Sequence, residues 1–134
     1  MNPRQFLLLG GIIFVTLAVL GVVGLGPTIT DSALGETFWL DNGENVAHLV
    51  LGVVALLAYF LLKDEQLTKW LVILVGVIAL LAAVLGFLYS GDTSGANFFG
   101  VANLEMADNL LHLVVGIWAL WAAFMDKKST PVSS

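Results

Sequence analysis

The sequence predicts an all-α membrane protein: one membrane domain over residues 1–134, a four-transmembrane-helix bundle built from a tandem duplicated helix pair. Three observations carry this reading. Of the 134 residues, 59% are hydrophobic and only 11% charged, far from the roughly half-apolar, quarter-charged balance of a soluble domain. Four segments, Phe6 to Leu25, Val46 to Leu62, Trp70 to Tyr89 and Leu110 to Met125, contain no Asp, Glu, Lys or Arg. The first half of the chain also recurs in the second.

At about 1.5 Å rise per residue, the first and third segments cross the roughly 30 Å hydrocarbon layer unaided, whereas the other two need one more polar turn. The first segment follows Arg4 as a secretory signal would. Its apolar run is longer than a signal's and no A-x-A site follows, so an uncleaved anchor is expected. The basic residues Arg4, Lys63, Lys69, Lys127 and Lys128 lie near the N-terminus, between the second and third segments, or after the fourth; the loops 26–43 and 90–107 have none. The positive-inside rule then places both termini and the Lys63–Lys69 loop in the cytoplasm. Asp31, Glu36, Asp41, Glu44, Asp92, Glu105 and Asp108 make the opposite face acidic, a solvated surface that reinforces this topology.

Gly11, Ala18, Val19, Leu20, Gly21, Gly26 and Thr28 recur 65 positions later as Gly76, Ala83, Val84, Leu85, Gly86, Gly91 and Thr93. A shift of 64 aligns Asn45, His48, Leu49, Gly52 and Lys63 with Asn109, His112, Leu113, Gly116 and Lys127. Chance matches in apolar helices do not readily place Asn, His, Gly and Lys in register, so the chain reads as repeat 1 (4–63), repeat 2 (69–128) and a short tail (129–134). Two copies inserted in the same sense imply a pseudo-two-fold axis along the membrane normal. Gly11, Gly21, Gly52, Gly76, Gly86 and Gly116 mark helix faces that approach closely, since small residues let backbones meet in lipid. Tyr59, Trp70, Trp118 and Trp121 suit an interfacial belt at the basic end, and Phe38, Trp39, Phe98 and Phe99 can fold back as a lid at the acidic end.

The polar motif is the repeated acid-Asn-x-x-His-Leu-x-x-Gly, reading "ENVAHLVLG" from Glu44 to Gly52 and "DNLLHLVVG" from Asp108 to Gly116. Positions i and i+4 share a helix face, so Glu44 stands one turn from His48, Asp108 one turn from His112, and both stripes continue to the glycines. Ionisable groups within a span usually face the bundle interior with a partner. Glu44, His48, Asp108 and His112 meeting across the axis form a set suited to Zn, Fe or Mn. The two His alone suit a haem, or each a chlorophyll-type pigment. The structural reading, preferred here, has Asp41 and Glu44 as a capping box, first-turn acids on the helix dipole, Asn45 and Asn109 as a structural polar cluster, and neutral His bonding across the bundle.

At this motif the chain resembles an uncharacterised family of bacterial four-helix membrane proteins, domain of unknown function 4383, with similar segments carrying Asn, His, Leu and Gly in its second and fourth helices. Here these are Asn45, His48, Leu49 and Gly52, and Asn109, His112, Leu113 and Gly116; the outer loops depart from the pattern. The resemblance supports the fold and the placement of the motif, and implies no activity. The expected setting is a prokaryotic cytoplasmic membrane, multi-pass, with both termini cytoplasmic.

Function is bounded mainly by exclusion. Cysteine is absent and the net charge is -5, which argues against thiol chemistry and nucleic-acid partners. No nucleophile or phosphate loop stands out, so no enzyme is expected. The leading expectation is a non-enzymatic accessory or structural subunit whose partners are the lipid bilayer and either other membrane subunits or copies of itself. A cofactor-binding protein using His48 and His112 comes next, and a small transporter or proton relay third, because no charged residue continues from the motif towards the basic end.

Overall fold

The structure is a computed structural model that describes residues 1–26, 28, 30–35, 38–89 and 105–125. The sequence-predicted roles of Glu36, Gly91, Asp92, Thr93, Phe98, Phe99, Lys127 and Lys128, and the tail 129–134, lie outside the described residues. Four helices run in order, α1 (Pro3–Val23), α2 (Asn42–Leu61), α3 (Glu65–Tyr89) and α4 (Met106–Phe124). Each is long and apolar enough to cross a membrane. No strand occurs among the described residues.

Local chemistry sets the helix starts. Asn2 and Gln5 form a reciprocal capping box, with Gln5 N–H donating to Asn2 Oδ1 at 2.8 Å and Asn2 N–H to Gln5 Oε1 at 3.0 Å. Pro3 at the first helical position has no N–H to leave unpaired. The expected capping box of α2 is present: Glu44 N–H donates to Asp41 Oδ1 at 2.9 Å and Asp41 N–H to Glu44 Oε2 at 2.8 Å. Asp64 caps α3 by accepting from Leu67 N–H at 2.7 Å. Only Leu62 to Asp64 separate α2 from α3, so these two helices must run antiparallel. The extra polar turn that the shorter spans require is supplied by Asn42 to Asn45 in α2 and Met106 to Asn109 in α4.

The tightest pairings are α1 with α2 and α3 with α4, and α1 also touches α3 and α4. Glycine permits both tight pairings. A Cβ added at Gly11 would lie 3.1 Å from Gly52 O, and one at Gly52 would lie 3.0 Å from Gly11 O and 2.8 Å from Val15 N. In the second hairpin a Cβ at Gly116 would lie 3.1 Å from Gly76 O and 2.7 Å from the Leu80 side chain. Nearer the acidic end, Gly21 and Gly86 lie so close to Asn45 and Asn109 that a Cβ on either would overlap the facing carboxamide.

At the basic end the hairpins meet in an apolar core of Phe6, Leu7, Val72, Ala119, Ala122 and Ala123. The Trp118 ring stands edge-on to Phe6 with centroids 4.7 Å apart. Arg4 donates to Tyr59 O at 2.8 Å and Leu62 O at 3.1 Å, a cation on the open carbonyls of the α2 C-terminus. Trp70 and Trp121 are exposed, as a belt at the lipid interface requires. At the other end, Leu40 is the loop residue that closes over the bundle: it is fully buried, with Phe38 and Trp39 half-buried beside it. Its N–H donates to Leu25 O at 3.0 Å, tying the end of the loop to the end of α1.

These contacts set a specific cost for filling the crossings. Gly21→Ala and Gly86→Ala are expected to lower stability by about 1–3 kcal/mol each through overpacking. Gly10→Ala, whose Cβ would meet the Phe6 ring at an ordinary 3.8 Å, should be near neutral. Denaturation of the three variants in mild detergent checks this, and equal losses at all three positions would refute the close approach.

Candidate functional site

The acidic end of the bundle holds a buried polar cluster contributed by both hairpins. Glu44 and Asn45 come from the first turn of α2, and Asp108 and Asn109 from the first turn of α4; all four are buried, at 5%, 8%, 1% and 0% exposure. Glu105, the residue that precedes α4, joins them. Carboxylate oxygens of Glu44, Glu105 and Asp108 lie within 4.8 Å of one another. Glu44 Oε2 accepts from Asp41 N–H, but Glu44 Oε1, Asp108 Oδ2 and both Glu105 oxygens accept from no donor. Three carboxyl groups this close cannot all carry charge without protons or a cation between them.

The two carboxamides face inward from the same helix turns. Asn45 Nδ2 donates to Leu40 O at 3.0 Å, binding the loop to α2, while its Oδ1 is buried against Gly21 without a donor. Asn109 packs against Gly86 in the matching way, with both carboxamide atoms unpartnered. The structure thus brings Asn45 and Asn109 into the close-packed interior together with Gly52 and Gly116.

The imidazoles sit one turn deeper and outside the three-carboxylate group. His48 stacks on Phe14 of α1, with ring centroids 5.5 Å apart and planes inclined by 22°. Its Nδ1 is buried without a partner. His112 Nδ1 lies 2.8 Å from the Asp108 carbonyl oxygen. A carbonyl only accepts, so Nδ1 carries the proton and Nε2 presents its lone pair. Of the four residues predicted as a metal set, Glu44 and Asp108 converge, whereas His48 and His112 form a second layer beneath them.

Glu105 is the member that the sequence reading passed over as a site residue. The signal was available, because Glu105 precedes Asp108 by three residues as Asp41 precedes Glu44. The two residues then diverge in use: Asp41 caps α2 with its side chain, whereas Glu105 makes no capping hydrogen bond to α4. Burial first, and then the neighbouring Asp108 carboxylate, push the Glu105 carboxyl up from an ordinary 4.5 to about 9.

Taken together, these features define a multi-pass membrane protein of four helices with a polar cluster at one end, set in a lipid bilayer. The chain belongs to the family described as Domain of unknown function (DUF4383), whose pattern it matches over residues 4–125. Neither the curated proteins nor the solved structures contain a match to it.

A carboxyl that holds its proton more tightly in the folded than in the unfolded chain contributes stability below its unfolded value and loses it as pH rises towards its folded value. With Glu105 at about 9 when folded, the melting temperature in detergent plus chelator should fall as pH rises from about 5 to about 9. Glu105→Gln should flatten that slope and raise the melting temperature near the alkaline end. An unaltered slope in the variant would remove Glu105 from the cluster.

Proposed function

We propose that the protein is a non-enzymatic accessory subunit of a membrane complex, a duplicated helix pair about a pseudo-two-fold axis with both termini cytoplasmic. The duplication is supported by contacts that match across the two hairpins: Gly11 with Gly52 and Gly76 with Gly116, Gly21 with Asn45 and Gly86 with Asn109. The orientation is supported by the basic residues gathered at one end. The observation that carries the subunit reading is how the polar groups are used. They sit at the joint between hairpins, and below the imidazoles no Asp, Glu, Lys or Arg occurs until the basic end, which supports a structural use of the cluster over a charged relay across the bundle. Meanwhile α2 buries only 22% of its membrane-spanning window, against 33% for each of the other helices. That leaves α2 the widest apolar face for a neighbouring membrane protein.

Extraction of native membranes in mild detergent, followed by native electrophoresis, tests this directly. The chain is expected in an assembly well above the 14.3 kDa of one copy, and His48→Ala should leave that assembly in place. A chain that migrates only as a monomer from native membranes would end the subunit reading.

A second reading, a cofactor-binding membrane protein, is favoured by the three converging carboxylates, each of which has at least one buried oxygen without a donor. Oxygen ligands at that spacing suit a hard divalent cation such as Mg, Ca or Mn, and Nε2 of His112 with His48 supplies imidazole for a transition metal, haem or pigment. Elemental analysis and a visible spectrum of protein purified from native membranes decide it. About one equivalent of metal, lost in the Glu44→Gln/Asp108→Asn variant, is the expected outcome under this reading, whereas colourless, metal-free protein eliminates it.

A further inference from the structure

Opposite the carboxylate cluster, the basic end opens into a cavity of about 550 Å³. Four elements form it: the start of α1, the α2–α3 turn, the start of α3 and the end of α4, from Asn2 and Arg4 round to Phe124. Its wall carries Arg4, Lys63 and Lys69, three of the five basic residues in the chain. The N-termini of α1 and α3 both open into the same space, so two helix dipoles add positive potential to these side chains.

Each cation is held differently. Arg4 is fixed by its bonds to Tyr59 O and Leu62 O, and a guanidinium has five N–H donors, so it still has donors for a ligand. The Lys69 ammonium lies over the Phe124 ring, 5.3 Å from its centroid, which holds it at the rim. Lys63 is exposed and meets no carboxylate among the described residues. Two acids share the wall, but one of them, Asp64, is committed to capping α3 through Leu67 N–H. Glu65 is exposed in the first turn of α3.

Depth identifies the ligand. The pocket lies where the apolar runs of α1, α3 and α4 begin or end, the level at which a bilayer places its headgroup phosphates. Basic pockets between transmembrane helices are suited to such headgroups, and this volume falls within the range of small-ligand sites. We propose that the cavity binds a phosphate group through Arg4, Lys63 and Lys69, with the headgroup of an anionic phospholipid as the source that its depth favours. The proposal stands apart from the subunit reading, since it concerns the opposite end of the bundle and needs no protein partner.

Native mass spectrometry and melting curves of the full-length protein in neutral detergent provide the test, with phosphatidylglycerol, phosphatidylcholine and inorganic phosphate added separately. Phosphatidylglycerol should bind saturably and raise the melting midpoint, and phosphatidylcholine should do neither. Lys63→Ala/Lys69→Ala should keep the lipid-free midpoint and bind phosphatidylglycerol about tenfold more weakly, while Lys63→Arg/Lys69→Arg retains binding. Should the alanine pair fail to fold, Lys63→Gln alone, at an exposed side chain, is expected to weaken binding about threefold. Protection by inorganic phosphate at matching concentrations would uphold the phosphate site and assign it to a soluble ligand. Equal binding of the two lipids, or undiminished phosphatidylglycerol binding by the lysine variants, would overturn the proposal.

Discussion

The contact on which the rest of the structure depends is the approach of backbone to backbone where α1 crosses α2 and α3 crosses α4. In lipid there is no hydrophobic exclusion to drive apolar helices together, so contact area and close packing must hold a hairpin. With glycine on both sides, Gly11 O and Gly52 come close enough that even a methyl group would crowd them. The same proximity seats Asn45 and Asn109 against Gly21 and Gly86. A larger residue there would displace a polar side chain as well as an apolar surface. Packing and polar placement are therefore one constraint, and it fixes which faces of α2 and α4 turn inward.

Once those faces are fixed, the two hairpins are joined by opposite means at their two ends. At the basic end the joint is dry and apolar, with Phe6, Leu7 and Val72 against the alanines of α4. At the acidic end it is polar, with Glu44 from one hairpin meeting Asp108 and Glu105 from the other. An apolar joint is indifferent to solution conditions, whereas carboxyls without donors respond to protons and cations. Between the two ends, the contacts within each hairpin centre on its glycines, with Leu56 against Gly11 and Leu80 against Gly116.

Much of this was legible in the residues. Each of the four uncharged segments corresponds to one helix and overruns its end by at most two residues, and the shorter two gain the polar turn that their length demanded. The Asp41–Glu44 capping box follows from spacing alone, and so does the shared face of Glu44, His48 and Gly52 and of Asp108, His112 and Gly116, on which the acids and glycines are buried and the imidazoles half-buried, because helix geometry fixes which positions share a face. Less legible was what depends on three-dimensional fit. Leu40 closes over the bundle instead of the aromatic residues next to it, a choice set by the path of the loop back to Leu25 and not by hydrophobicity. Glu105 matches Asp41 in position but not in use, and the sequence offers only one extra methylene to signal the difference. His48 finds Phe14 as its neighbour, while the position that aligns with Phe14 in the second half is Ala79. His112 turns instead to the Asp108 carbonyl.

The unlike behaviour of Asp41 and Glu105 bears on how far the two halves are interchangeable. A protein assembled from two first halves would have two satisfied caps and only a pair of acids at its centre. One assembled from two second halves would gather four acids there, with no cap committed to either helix. The natural chain holds the intermediate number, three, so its acidic end has an odd carboxyl that no like partner can pair. The different use of Asp41 in one hairpin and Glu105 in the other is what gives the acidic end of the bundle a distinguishable left and right.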